Sequence, residues 1–120
     1  MPSYEWIQYK GKRILYVDFA SQKPEEILDL IKRFKEVVAK EPPHSVLGVC
    51  NVRGGMISTE INNAFKDGIK DTDPYVKMIA ITGIEGLQSI MFNGIVMFTR
   101  TKKLVLKKSK EEALDFLAGL

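Results

Sequence analysis

The sequence has few of the residues from which catalytic and metal sites are built. Its 120 residues include one cysteine, Cys50, and one histidine, His44. A single cysteine excludes an internal disulfide framework, and one cysteine with one histidine is too small a set for a zinc cluster. Cys50 lies within an apolar run, so we expect a buried side chain and not a nucleophile. We expect His44, which follows two prolines, to be a solvated loop residue.

Long apolar runs are also missing. No stretch approaches the roughly 20 apolar residues of a membrane span, and the N-terminal MPSYEWIQYKGKR lacks the apolar middle of a signal peptide. We therefore expect a cytoplasmic protein with no membrane span. The content of 45% hydrophobic and 28% charged residues is typical of a soluble globular protein, and the length predicts one domain over residues 1–120. The net charge of +3 is too small to indicate nucleic-acid binding without a basic stripe or a reading motif.

A candidate binding site follows the apolar run from Val46 to Val52. The run does not alternate with polar residues, which is typical of a parallel strand covered by helices on both faces. Glycines that tolerate positive φ come next, followed by two hydroxyl residues that can cap a helix. In open α/β sheets, ligands and partners dock at the carboxyl end of such a strand. The residues of this candidate site are Asn51, Arg53, Gly54, Gly55, Ser58 and Thr59.

Hydrophobic periodicity and turn residues predict the other elements. The predicted segments are the strands Tyr4–Tyr9, Arg13–Phe19, Tyr75–Thr82 and Lys103–Lys107, and helices that begin near Ser21 to Pro24, at Ser58 or Thr59, and at Lys110. Lys10-Gly11 predicts a hairpin between the first two strands. Pro42-Pro43 and Asp73-Pro74 end the first two helices, because proline cannot continue a helix.

The segment from Ile84 to Thr99 permits two interpretations. Asn93-Gly94 between apolar runs is a strong hairpin signal, whereas the apolar spacing favours a helix. We prefer the helix because a strand–helix–strand rhythm needs a crossover here. The helix is apolar on more than one face, so it either sinks into the core or exposes a patch for a partner or a lipid. The residues predicted for an apolar-ligand site or an interface are Leu87, Met91, Ile95 and Phe98.

Together the segments predict the order ββαβαβαβα. This order indicates an α/β fold with a mostly parallel sheet, opened by an antiparallel hairpin and covered by helices on its faces.

This order resembles a STAS domain (sulphate transporter and anti-sigma factor antagonist), most closely the stand-alone members that are also compared with SEC14-type lipid-binding proteins. The resemblance runs from KGKRILYVDFAS through NVRGG and PYVKMIAITGIEGLQ to EEALDFL. It implies a regulatory domain with a phosphorylatable Ser or Thr at the start of the helix after the turn, where Ser58 or Thr59 falls. Asn51 replaces the acid of the family pattern, and Arg53 replaces its hydroxyl residue.

Two features of the sequence can be explained by a structural role as well as by a functional one. Ser58 and Thr59 can cap a helix, which explains both hydroxyls without phosphorylation. A basic cluster near the C-terminus either guards an edge strand against aggregation or binds an anionic membrane or nucleic acid. Its members are Arg100, Lys102, Lys103, Lys107, Lys108 and Lys110.

The functional expectation is a non-catalytic regulatory or protein-interaction module. Gly54-Gly55 lacks the downstream residues of a P-loop or a dinucleotide fingerprint, so we expect neither an enzyme nor a cofactor. The expected partner is another protein, either a regulator or a second copy of the chain, and it binds at the turn from Arg53 to Thr59 and at the helix that follows. Arg53 and the helix start also suit an anion. The alternative is a small carrier or sensor that holds an apolar ligand between the sheet and the helix from Ile84 to Phe98.

Overall fold

A computed structural model describes residues 4–20, 23–54, 58–85 and 87–120, apart from the side chains of Leu87, Gln88, Met91 and Phe98. The elements follow in the predicted order. The strands are β1 (Tyr4–Tyr9), β2 (Lys12–Asp18), β3 (Val46–Asn51), β4 (Val76–Thr82) and β5 (Leu104–Lys107). The helices are α1 (Pro24–Val38), α2 (Thr59–Thr72), α3 (Leu87–Thr99) and α4 (Lys110–Ala118).

Within the described residues, five strands form one sheet in the order β1-β2-β3-β4-β5. β1 and β2 are antiparallel, and each later strand is parallel to its neighbour. Lys10 and Gly11, which join β1 to β2, both have positive φ, as a tight two-residue hairpin turn requires. β3 lies at the centre, and its residues from Val46 to Cys50 are all buried. The predicted α/β fold with a hairpin-opened, mostly parallel sheet is confirmed.

The helices divide unequally between the two faces of the sheet. Because β2 to β5 follow one another in space, right-handed crossovers place α1, α2 and α3 on the same face. The predicted apolar stripe of α1, including Ile27, Ile31 and Phe34, is buried there. α4 follows the last strand and covers the opposite face, where Leu117 is completely buried. Both faces of β3 are therefore shielded from water, which explains its unbroken apolar sequence.

The segment with two interpretations is a helix. Asn93 and Gly94 lie inside α3 and do not form a hairpin turn. α3 begins at Leu87, so Ile84 precedes the helix and does not belong to it. The crossover between parallel strands β4 and β5 outweighs the local turn signal, because parallel neighbours cannot be joined by a two-residue turn. At the first helix, the backbone N–H of Lys23 donates to Glu26 Oε1 at 3.0 Å, whereas Ser21 lies outside the described residues.

A polar cluster ties α4 to the β1–β2 hairpin. The Tyr9 hydroxyl donates to Asp115 Oδ1 at 2.6 Å, and Lys10 Nζ donates to the same oxygen at 2.8 Å. The hydrogen bond from Lys10, followed by the one from Tyr9, lowers the pKa of Asp115. The hydrogen bond with Asp115 in turn raises the pKa of Lys10. The cluster is exposed, so its contribution is screened by solvent.

We expect this cluster to give an acid-sensitive contribution to stability. Because the folded pKa of Asp115 is lowered, the contribution is present above the unfolded pKa of about 3.9 and is lost as the pH falls through the folded value. The difference in unfolding free energy between wild type and Asp115→Asn should be constant near neutral pH and should shrink below about pH 4. Urea titrations at several pH values measure it. A difference that persists undiminished at lower pH would contradict this account.

Candidate functional site

The turn after β3 is tied to the neighbouring strand by one side-chain amide. Asn51 is the last residue of β3, and its Oδ1 accepts a hydrogen bond from the backbone N–H of Arg53 at 3.1 Å. Its Nδ2 donates to Asp18 Oδ1 at 3.4 Å, and the same oxygen accepts from the backbone N–H of Ala20 at 2.9 Å. The Asn51 amide thus joins the end of β2 to the start of the turn.

The chemistry of this contact explains why an amide stands at position 51. A carboxylate there would lie beside the carboxylate of Asp18, and two like charges at that distance disfavour each other. An amide offers a donor to Asp18 and an acceptor to Arg53 at the same time. Tyr16 also hydrogen-bonds with Asn51; burial raises the pKa of Tyr16, and this hydrogen bond acts in the opposite direction.

Gly83 supports the turn from the other side. It follows β4, and parallel pairing of β3 with β4 places Asn51 beside Thr82. A Cβ on Gly83 would lie 2.7 Å from the backbone N and 2.8 Å from the Cα of Arg53, and Gly83 has a φ of +84°. Only glycine fits both the space and the conformation. The turn after β4 therefore lies against the turn after β3.

The helix after the turn is capped by one of its two candidate hydroxyls. Ser58 is the N-cap of α2, and its Oγ accepts from the backbone N–H of Ile61 at 3.1 Å. Thr59 is the first residue of the helix, and its side chain is exposed. The capping interpretation is therefore confirmed for Ser58 and is wrong for Thr59. Phosphorylation of either residue stays a prediction.

The structure brings together only part of the predicted turn site. Arg53 and Gly54 are exposed beside Asn51, and Gly54 has a φ of +67°. Gly55 lies outside the described residues. The supporting contacts from Asp18 and Gly83 were not assigned to the site from the sequence, although Asp18 lies next to the last residue of one predicted strand and Gly83 directly follows another.

A second candidate site is an apolar cavity between the sheet and α3. Its volume is about 70 Å³. The residues that line it are Phe19, Ile31, Phe34, Cys50, Val52, Phe65, Gly68, Ile69, Ile79, Ile81, Ile84, Phe92, Ile95 and Leu104. None of these described residues is charged, so they offer dispersion contacts and no charged group that could orient a polar ligand. Burial raises the pKa of Cys50 to about 12, which keeps its thiol protonated and makes it a poor nucleophile, as predicted for a buried cysteine.

The helical residues predicted for an apolar site are only partly described. Ile95 is 4% exposed and lines the cavity. The side chains of Leu87, Met91 and Phe98 lie outside the described residues. Phe92 also lines the cavity and was missed. Its position three residues before Ile95 places both on one face of the helix, a signal that the sequence did contain.

The basic cluster near the C-terminus does not form one continuous surface. Lys103 Nζ lies 3.4 Å from Asp73 Oδ2 and 3.1 Å from His44 Nδ1. His44 is exposed, and its side chain also contacts Lys103, so it is not merely solvated. Lys107 lies over the Phe116 ring, and Lys110 lies over the Tyr16 ring. Lys103 and Lys107 lie beside or on β5, whereas Lys110 reaches β2, so these three cations do not share one surface. Protection of the β5 edge against edge-to-edge pairing stays a prediction.

Comparisons with family models, with curated proteins and with solved structures find no match to this chain. The fold and the site geometry define an α/β domain with a mixed five-stranded sheet in the described ranges. None of the helices described is both long and apolar enough to cross a membrane. Among the described side chains, no group of three or more His, Cys, Asp or Glu residues could hold a metal ion.

Replacement of Gly83 by alanine should disturb both folding and the turn. We expect Gly83→Ala to destabilise the protein by more than about 1 kcal/mol, because the new methyl group meets the Arg53 backbone at a positive φ. Gly11→Ala is the matched control, since Gly11 has a φ of +83° but a methyl group there would meet no atom within 4 Å. Urea denaturation of both variants gives the comparison. Equal losses would show that the contact with Arg53 carries no energy.

Proposed function

We propose that this chain is a non-catalytic regulatory module of the STAS type, which binds a partner protein through the turn from Arg53 to Thr59 and the helix α2. One observation carries the proposal. The backbone of Arg53, where the turn begins, is held by Asn51 on one side and by Gly83 on the other, while the side chains of Arg53, Ser58 and Thr59 are exposed. A backbone that is already held at Arg53 loses little conformational entropy there on binding.

The chemistry of the turn favours a partner with a carboxylate or another anionic group. The guanidinium of Arg53 binds carboxylates in a bidentate geometry, and the first turn of α2 carries the partial positive charge of a helix N-terminus. Both groups follow the carboxyl end of β3 in the chain. A phosphate on Thr59 would add about −1.5 to −2 charges at this surface and would compete with the partner's anionic group. The hydroxyl of Thr59 is the better candidate acceptor, because that of Ser58 caps the helix.

Reversal of the charge at Arg53 should separate binding from folding. We expect Arg53→Glu to weaken partner capture from the native cell extract at least tenfold, which corresponds to about 1.4 kcal/mol. Its unfolding free energy should stay within about 0.5 kcal/mol of wild type, because the side chain is exposed.

Lys32→Glu, an equal charge change on an exposed residue of α1, is the control for this experiment. It should retain the partner. Equal loss of the partner by both variants would show that only the net charge matters. Retention of the partner by Arg53→Glu would show that the interface does not include Arg53.

The apolar cavity favours a second candidate function, the binding of a small apolar ligand beneath α3. The volume of the cavity limits the size of the ligand that it can hold. The cavity of about 70 Å³ is smaller than an engineered cavity of about 150 Å³ that binds benzene, and far below the roughly 300 Å³ of ordinary ligand pockets. A lipid would need α3 to move away from the sheet. The partner-binding module is therefore the first proposal and the carrier the second.

Cys50 allows a direct test of the carrier function, because it lines the cavity and is the single cysteine of the chain. Native mass spectrometry of freshly purified protein should find an apolar molecule at one copy per chain. After solvent extraction and refolding, labelling of Cys50 by a neutral thiol reagent should be faster than in the untreated protein, because the ligand no longer shields it. An empty protein whose labelling rate is unchanged by extraction would exclude the carrier function.

A further inference from the structure

Two neighbouring strands end in the same kind of side-chain turn. β2 ends at Asp18, whose Oδ1 accepts a hydrogen bond from the backbone N–H of Ala20 at 2.9 Å. β3 ends at Asn51, whose Oδ1 accepts from the backbone N–H of Arg53 at 3.1 Å. Each bond reaches the N–H two residues further on, which is the spacing of an Asx turn. Because Asp18 and Asn51 are register partners in the sheet, the two turns lie side by side.

The amide of Asn51 has a direction, and the carboxylate of Asp18 sets it. The Nδ2 of Asn51 donates to Asp18 Oδ1 at 3.4 Å, while its Oδ1 faces the N–H of Arg53. If the amide rotated by half a turn, its oxygen would face the carboxylate and its nitrogen would face the N–H. Both hydrogen bonds would then be replaced by contacts between like partial charges. The Oδ1 of Asp18 is itself held by the N–H of Ala20.

Tyr16 provides a second acceptor on the same side of the amide. It lies two residues before Asp18 on β2, so both side chains are on one face of the sheet. Burial raises the pKa of Tyr16, and its hydrogen bond with Asn51 opposes that rise. This direction is expected where the amide donates to the phenol oxygen, because such a bond favours the ionised form. An amide nitrogen carries two N–H donors, so it can bind Asp18 and Tyr16 together.

We propose that Asp18 is a positioning residue for the turn at Arg53: it fixes the orientation of the Asn51 amide, which in turn holds the backbone of Arg53 for the partner. The part of this role that concerns binding rests on the function proposed above. The role requires an acceptor oxygen at position 18 and does not require its negative charge. An asparagine there offers the same oxygen to Ala20 and to Asn51, whereas an alanine offers none.

Hydrogen exchange of single backbone amides, measured by NMR, tests the positioning. In Asp18→Ala, the amide of Ala20 loses its acceptor directly, and the amide of Arg53 loses its own because Asn51 is free to rotate. We expect the Arg53 amide to exchange about fivefold faster than in wild type, which is the factor of one ordinary hydrogen bond. Asp18→Asn should exchange like wild type at both amides.

Two controls separate this effect from others. Asp18→Asn removes the same negative charge as Asp18→Ala, so it corrects for the influence of charge on the rate of exchange. The amide of Val49, in the buried centre of β3, reports the opening of the whole sheet. Its exchange should stay far slower than that of Arg53 in each variant, which shows that Arg53 exchanges by local opening.

The pattern of rates decides between positioning and a merely local role. If Asp18→Ala accelerates exchange at Ala20 and leaves Arg53 unchanged, Asp18 supports its own turn only, and the proposal is overturned. If Asp18→Asn accelerates exchange at Arg53 as much as Asp18→Ala does, the effect comes from the charge, and the proposal is overturned as well.

Capture of the partner gives a second readout beside the Arg53→Glu variant. Asp18→Ala should weaken capture about fivefold, and Asp18→Asn should retain it. If Arg53→Glu loses the partner and Asp18→Ala keeps it, the proposed function stands and the role of Asp18 in binding is refuted. If Arg53→Glu keeps the partner, the proposed function fails together with that role, and the exchange rates alone decide whether Asp18 positions the turn.

Discussion

The burial of β3 on both faces and both edges is the constraint on which the rest of the structure depends. Its five residues from Val46 to Cys50 are buried, and full burial of a large aliphatic side chain contributes about 1.5 to 3 kcal/mol. To shield this strand from water, the chain must place strands on either side of it and helices above and below it. Three crossover helices cover one face, and α4 closes the other. The chain then leaves the carboxyl end of β3 through the turn at Arg53.

Parallel pairing around β3 also determines the chemistry of the edge where it ends. Three strand ends meet there, so the side chains of Asp18 and Asn51 and the backbone of Gly83 converge on one turn. The Asn51 amide satisfies a carboxylate and a backbone N–H together, which a carboxylate at that position would not do. Stability and the proposed binding function thus use the same contacts: the network orders the backbone and leaves the side chain of Arg53 to the solvent.

α3 has apolar residues on both faces, and the structure covers only one of them. Its inward face leaves a cavity of about 70 Å³, and its outward face exposes Ile90 and Met97. The candidate apolar ligand follows from the cavity on the inward side of this helix.

The sequence by itself determined the elements, their order and the mixed sheet. The apolar periodicity shows which surface each segment must bury, and proline and glycine mark where the segments end. It also located the turn at Arg53, since the end of a buried strand is visible as the end of an apolar run. Only the tertiary structure decided which face of α3 is left uncovered and which hydroxyl caps α2. The contact of Asn51 with Asp18, 33 residues away, also appeared only in the folded chain. These features depend on distances between residues remote in sequence, and local patterns carry no record of them.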